Sequence, residues 1–404
     1  MNILIIPSWY PNKASPLSGI FTQEQAEAIV AIKPEVNLFV SKWGHDFSAL
    51  SVREPWKWPK KIWWAWTERK NLINKRNDVY EVFNAKLNWS KSLPLGGIQQ
   101  LIEVNHRNFN LIQKKFGKID LIHAHVSYPA GYIASILSRE FDVPYIITEH
   151  MSPFPFPSLM KNDYPIPEIS QAFNQASTTI AVSKSLADRI ASFGYLRPQV
   201  IPNLVDERIF NLEKPASKKT IFFTLCGITA QKGIDHLLEA IALWNPSAED
   251  FEFRIGGSGP MLHTYQAQAK ELGICKLVKW LGHINRVDAP NLFQQCHIYV
   301  MPSRHETFGV VYAEAIACGK PIIATRCGGP ESIVNENNGK LVDVGNIQDL
   351  SNTMREMSNK LEAYDPKIIR EDFEERFSRN AIASQILNLY ENVLADNTNI
   401  KKIS

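Results

Sequence analysis

Residues 299–331 read YVMPSRHETFGVVYAEAIACGKPIIATRCGGPE and hold two carboxylates eight residues apart, Glu306 and Glu314. Glu306 stands in a short polar loop after the apolar run 298–301, and Glu314 lies about two turns into a helix expected to open near Phe308. A second apolar run at 321–324 and the glycine-rich turn 327–330 complete a strand–helix–strand unit. In such a unit the helix N-terminus and the strand ends face one crevice. Gly309 lets a ligand approach backbone N–H groups, and neither glutamate has an obvious basic partner nearby in the sequence. Backbone amides take phosphates and carboxylates accept from hydroxyls, so this arrangement suits a ligand that bears both. The spacing alone is weak, since a solvated loop glutamate and a helix-surface glutamate would give the same count.

Other chemistry-bearing residues sit at strand ends and tight turns. His123 and His125 close the segment LIHAH, and Glu149-His150 close the apolar run before them. Strand carboxyl ends are where ligands meet α/β sheets, although a histidine satisfied by backbone is the plain structural alternative. Gly19 opens a helix after a long loop, an arrangement suited to an anion, and a turn glycine without a ligand explains it equally. Two more turns follow strands in the second half: Cys226 to Gly233, CGITAQKG, and Gly256-Gly257-Ser258-Gly259-Pro260.

The elements that must position these residues alternate. Apolar runs at 3–6, 36–40, 121–123, 145–148 and 179–182 predict strands, and helical patterns at 22–32, 98–116, 130–140 and 183–193 lie between them. Residues 201–219 lose periodicity and predict a linker; the rhythm then restarts with strands at 221–225, 251–255, 277–280, 298–301, 322–324 and 340–342. Such a succession predicts parallel doubly wound sheets. At 404 residues the chain is long enough for two domains of up to about 200 residues each. A net charge of +3 does not argue for nucleic acid. The five cysteines form no C-x-x-C pair and read as packed thiols of a reducing compartment. No apolar run reaches the roughly 18 residues of a membrane span. With a strand starting at once, no signal peptide is expected ahead of Ile3, so the protein is expected to be cytoplasmic or peripheral to the inner face of a membrane.

The string Glu306, Phe308, Gly309, Glu314, Ala315, Ala317, Gly319, Pro321 and Ala324 closely resembles the signature of the family 4 retaining glycosyltransferases, of GT-B fold. The resemblance implies two Rossmann-like domains facing a central cleft, with an acceptor-binding domain at 1–200, a linker at 201–219, a nucleotide-sugar-binding domain at 220–379 and a last helix, about 380–396, crossing back. It implies that Glu306 contacts the donor sugar and Glu314 the ribose hydroxyls, with Thr307, Phe308, Gly309 and Val310 beside them. CGITAQKG resembles the family's G-R-L-x-x-x-K-G, which sets Lys232 against the diphosphate but leaves Gly227 where the family has arginine. Gly257 and Gly259 match its G-G-x-G-P turn, Ile284 falls in the loop that cups the base, and Gly19 matches a glycine near the diphosphate. A histidine at a strand end approaches the donor sugar or acceptor in the family, which favours His150, then His125. The implied activity is transfer of a sugar from a UDP- or GDP-sugar, UDP being favoured, to a hydroxyl of a sugar or lipid-linked glycan in surface polysaccharide or glycoconjugate synthesis. No D-x-D occurs, so no metal is implied, and no cofactor beyond the donor substrate.

Two alternatives stay open on the same architecture: a non-catalytic nucleotide-sugar binding module, kept alive by the missing arginine, and a nucleotide-sugar epimerase. A dinucleotide oxidoreductase is disfavoured because no G-x-G-x-x-G follows an early strand. Residues 53–76 hold five of the ten tryptophans and eight basic residues against two acidic ones. Tryptophan with lysine and arginine suits the headgroup zone of an anionic bilayer, and a polar loop with buried tryptophans is the bland reading.

Overall fold

The computed structural model describes residues 1–12, 15–43, 49–50, 54–67, 72–89 and 97–403. The chain forms two compact units: Met1–Val182 with Ala187–Leu204 and Ile382–Ser404, and Ser183–Leu186 with Val205–Ala381.

The first unit is built on β1 (Asn2–Pro7), a strand apolar on both faces. Successive side chains of a strand point to opposite faces, so a continuous apolar run needs a core on each. Ile3 and Ile5 pack with Ile29 of helix α1 (Ile20–Ile32) and with Ile382, Ile386 and Tyr390 from the end of the chain. Leu4 and Ile6 pack on the other side with Phe109, Ile112, Ile133 and Leu137. The remaining strands of its sheet are β2 (Asn37–Lys42), β3 (Leu72–Arg76), β4 (Val79–Phe83), β5 (Leu121–His125), β6 (Tyr145–Glu149), β7 (Thr178–Ala181) and β8 (Gln199–Val200). Their order is β8-β7-β6-β5-β1-β2-β4-β3. Pairing is parallel except for the edge hairpin β3–β4. That hairpin was not expected from the sequence, because β3 ends in the polar Asn74-Lys75-Arg76. It is closed by Asn77 and Asp78, both at positive φ (45° and 64°), the geometry of a two-residue hairpin turn. Helix α2 (Trp58–Thr67) precedes it; α3 (Ile98–Phe116), α4 (Tyr132–Phe141) and α5 (Pro167–Gln175) cover the sheet further along.

The second unit restarts after α6 (Lys184–Ala191) and an irregular stretch. Its strands are β9 (Thr220–Leu225), β10 (Phe251–Gly256), β11 (Val278–Gly282), β12 (Ile298–Met301), β13 (Ile322–Thr325) and β14 (Gly339–Val342). All are parallel, in the order β11-β10-β9-β12-β13-β14. Phe222, Phe253, Ile298 and Val300 pack on one face against Leu237 and Ile241 of α7 (Ile234–Trp244). On the other face the rings of Phe223 and Tyr299 close on Phe293, from α9 (Ala289–Gln295) after α8 (Leu262–Glu271). α10 (Val310–Ala317), α11 (Ile347–Asn359) and α12 (Pro366–Phe377) complete the unit, and α13 (Arg379–Ile403) carries the residues that return to the first unit's core. In each sheet the strand order reverses once, at β1/β5 and at β9/β12. Loops leaving the carboxyl ends there splay apart and open a crevice.

Candidate active site

In the second unit the loops at the β9/β12 reversal are tied by the side chain of Arg304. Its Nη1 and Nη2 donate to Asp235 Oδ1 and Oδ2 at 2.9 and 2.7 Å, and Nη1 also reaches the Ala230 carbonyl at 2.6 Å. The Arg304 backbone N–H donates to the Gln231 carbonyl at 2.7 Å, and Gln231 Nε2 to the His305 carbonyl at 2.8 Å. A planar guanidinium makes such a bidentate clamp where lysine could not. Burial alone would raise the Asp235 carboxyl; the hydrogen bonds and charge of Arg304 outweigh it and hold the group below the usual range.

This clamp sets Lys232 against Glu306. Lys232 Nζ donates to Glu306 Oε1 at 2.5 Å, and Ser303 Oγ donates to the same oxygen at 3.0 Å. From behind, the turn after β13 grips the Glu306 backbone: Gly329 N–H donates to its carbonyl at 2.7 Å, and Glu306 N–H to Cys327 O at 3.2 Å. Glu306 is 6 % exposed, so the sequence's loop glutamate is a held, ion-paired carboxylate rather than a solvated one. Glu314, 5 % exposed, has Arg286 Nη1 at 3.7 Å. Both partners lie far away in the chain, which is why neither glutamate showed one in the sequence.

The other donor-half candidates fall as follows. α10 starts at Val310 rather than near Phe308, because its N-cap Gly309 sits at φ 84°, outside helical geometry. Thr307 and Phe308 are buried, Phe308 beside the Phe377 ring at 5.9 Å between centroids, so both have packing roles in the protein itself. Ile284 lies over Gly256. The loops after β9, β10 and β11 interlock by backbone alone: Cys226 N–H to Gly256 O, Ile228 N–H to Ser258 O, and Gly257 N–H to Gly282 O, at 3.2, 2.9 and 2.7 Å. Gly257 takes φ 130°, and a Cβ there would stand 1.8 Å from the Cys226 carbonyl; one at Gly259 would stand 2.2 Å from that of Ile228. Gly227 differs: a Cβ there meets nothing within 4 Å.

In the first unit the β1/β5 reversal gathers histidines. His123 Nδ1 bonds the Tyr390 hydroxyl at 2.7 Å and Nε2 the Thr148 hydroxyl at 2.8 Å, so this ring is fully used in the fold. His125 Nδ1 meets His150 Nε2 at 3.1 Å, and Phe21 stacks on His150 at 4.0 Å. His125 Nε2 and His150 Nδ1 are buried with no hydrogen-bond partner. Glu149, which the sequence placed at a strand end without a role, organises the corner. Its carboxylate accepts from Ser127 N–H and Oγ, His150 N–H and Met151 N–H at 3.0, 2.5, 2.8 and 2.9 Å. Burial pushes its pKa above the usual carboxylate range, against the pull of those donors. Gly19 caps α1, and the Cβ it lacks leaves room for the Trp9 carbonyl, which would otherwise lie 2.0 Å away.

Burial pushes His125 down to about 3. His123 and His150 also sit well below 6.5, through burial first and then the charge of neighbouring histidines. Each is neutral in the fold and takes up its proton near pH 6.5 only when unfolded, so the unfolded chain binds more protons below that pH. The stability they confer is whole above pH 6.5 and falls as pH drops, by up to about 1.4 kcal/mol per pH unit for each histidine. Denaturant unfolding of this unit between pH 7.5 and 5.5 is expected to show that slope, reduced by one histidine's share in His123→Asn. A flat profile would refute it.

Of the cysteines, Cys296 and Cys318 are buried and burial pushes the Cys296 thiol up to about 12, but Cys275, expected to be packed, is exposed. Among the described residues no three His, Cys, Asp or Glu side chains converge on a metal-sized site, and no helix is long and apolar enough to cross a membrane.

Two family models match the chain in succession: Glycosyltransferase Family 4 over residues 20–208 and Glycosyl transferases group 1 over residues 205–381. An uncharacterized glycosyltransferase of Methanocaldococcus jannaschii, MJ1178, is 29% identical over 304 residues, 73% of this chain and 81% of that one. The N-acetyl-alpha-D-glucosaminyl L-malate synthase of Bacillus anthracis is 26% identical over 303 residues, 70% of this chain and 78% of that one. In fold, the chain is similar to Anabaena HepE, solved in complex with UDP: TM-score 0.69 at 21% identity, over 97% of this chain and 100% of HepE. With family models covering both halves in succession and a solved structure of like fold over nearly the whole chain, the chain belongs to the family 4 glycosyltransferases and has the GT-B fold.

Proposed function

We propose that this glycosyltransferase moves a hexose from a nucleoside-diphosphate sugar, UDP-linked rather than GDP-linked, to a hydroxyl of a glycan acceptor, with retention at the anomeric carbon and without a metal. The observation that carries this reading is Lys232 beside Glu306 at a sheet's switch point. There an ammonium can neutralise the charge growing on a leaving diphosphate while a carboxylate holds the sugar's hydroxyls. Glu314 would take the ribose hydroxyls, the turn at Gly259, held in place by Gly257, and the α10 start at Thr307 to Val310 would offer backbone amides, and Ile284 would flank the base. In the first unit His150 and His125, each with a buried unused ring nitrogen, would serve the sugar or acceptor, with Gly19 near the diphosphate. The complexes of HepE with UDP and with UDP-glucose support the choice of donor. Surface polysaccharide or glycoconjugate assembly belongs to the same reading.

The test is release of nucleoside diphosphate from a panel of UDP-, GDP- and ADP-sugars, with and without a chelator, with the product's anomeric configuration read by NMR. One donor consumed, retention, and no effect of the chelator are expected. No turnover and no binding across the panel would sink the reading.

Gly227 offers a sharper check. The position is open and its φ lies outside the left-handed region, so an arginine fits without strain. Gly227→Arg is expected to lower the donor KM by about tenfold, the worth of one added charge-assisted hydrogen bond. An unchanged KM would show that the diphosphate does not lie there.

A further inference from the structure

Helix α2 is amphipathic the wrong way round for a helix that belongs to a core. It contains no buried residue. Trp64 sets its ring edge-on to Phe83 of β4 at 6.2 Å, which fixes the helix to the sheet's edge. The opposite stripe carries Ile62 and Trp66, one helical turn apart, and Trp63 beside them, at 49, 81 and 65 % exposure; Trp56, just ahead of the helix, is 70 % exposed. Those are the only strongly exposed tryptophans among the described side chains. A surface helix ordinarily turns such a stripe inward, so this one is presented to something else. Lysines border the stripe. Lys57 and Lys60 are exposed, Lys61 is half-buried, and in the described stretch the acidic counterweight is Glu54, 2.7 Å from Lys57. Residues 53 and 68–71 of the tryptophan-rich segment lie outside the described residues.

We propose that this face of α2 docks on an anionic bilayer, with Trp56, Ile62, Trp63 and Trp66 at headgroup depth and Lys57 and Lys60 on lipid phosphates. Tryptophan is amphipathic and settles at that depth, and lysine reaches the phosphates from a buried stem. A second copy of the chain fits less well, since a two-fold contact on this stripe would bring its lysines against their own copies. A bilayer meets the same lysines with opposite charge. The proposal rests on the transferase reading only for its purpose, which is to bring the site to a lipid-linked acceptor.

The full chain, with no donor added, is sedimented with phosphatidylcholine vesicles with and without phosphatidylglycerol. Sedimentation is expected only with the anionic lipid. Trp63→Ser with Trp66→Ser should weaken it by about tenfold or more, from the apolar area withdrawn. Lys57→Glu with Lys60→Glu should weaken it by at least about tenfold, each lysine near an anionic surface being worth about fivefold. These side chains are exposed, so circular dichroism and UDP binding should match the wild type in both variants. Glu306→Gln should sediment like the wild type, so that a failed transferase reading leaves this result intact. A wild type that stays in the supernatant, variants that sediment undiminished, equal binding to neutral vesicles, or light scattering showing that the tryptophans hold a dimer would each overturn it.

Discussion

Lys232→Ala is expected to lower the rate of sugar transfer by about 10²- to 10³-fold, the usual cost of removing one preorganised group that stabilises charge on a leaving oxygen. The loss should fall mainly on kcat, because that charge is far larger in the transition state than in the bound donor. The free protein adds a second, less obvious expectation. Lys232 is neutralised by Glu306, which it meets at 2.5 Å, so an arriving diphosphate must compete with a carboxylate already in place. Glu306→Gln should consequently reduce kcat by a similar factor yet bind the nucleoside diphosphate more tightly, because glutamine keeps the Ser303 hydrogen bond and frees the ammonium. The two variants part on stability too. Glu306 is 6 % exposed, and stripping its cation leaves a buried charge unpaired, a loss of up to about 3 kcal/mol for Lys232→Ala; the neutral glutamine avoids it. Steady-state kinetics on the preferred donor and calorimetric titration with its nucleoside diphosphate check both. Transfer surviving Lys232→Ala within a fewfold, or weaker diphosphate binding in Glu306→Gln, would show that this pair is not the donor's anchor.

Of two glycines in the same crevice, one is expected to reject an added methyl group and the other to accept it. Gly257→Ala forces a Cβ to within 1.8 Å of the Cys226 carbonyl at φ 130°, backbone against backbone, where no rotamer can give way. The three interlocked loops must then part, at a cost of about 3–5 kcal/mol including the strained dihedral. For a unit of this size that is a fall in melting temperature of about 10 °C, with weaker donor binding as the loops separate. Gly227→Ala enters open space and should leave the melting temperature within about 2 °C, in keeping with a surface change of under 0.5 kcal/mol. Differential scanning calorimetry of the two proteins is enough. Equal melting temperatures would mean that the loops do not lock through Gly257.

The strand–helix–strand unit at 298–325 was legible in the sequence because it is local. Apolar runs two-sided enough to be buried, a helix between them and glycines at the turns are encoded within some thirty residues, and β12, α10 and β13 follow that pattern, α10 opening two residues late at Val310. The same holds for the alternation that makes both sheets parallel. Glu306 and Glu314 could likewise be picked out, since their setting is a contiguous string.

Their partners could not. Lys232 reaches Glu306 across 74 positions, Arg304 clamps Asp235 across 69, and His123 meets Tyr390 across 267. These contacts follow from the order of strands in a sheet, which brings β9 beside β12 and the end of the chain onto β5, and strand order is set by the packing of whole faces rather than by any neighbouring residues. The tryptophans of α2 show the same division. Their composition suggested a surface for a bilayer or a polar loop, and only the fold made the stretch a helix with Trp64 on Phe83 and the other tryptophans outward. What the chain determined by itself was the strand–helix alternation of the two sheets, short of the edge hairpin β3–β4, and the residues able to do chemistry. The tertiary structure decided which of them touch, because burial of two-sided sheets, and not sequence proximity, chooses neighbours.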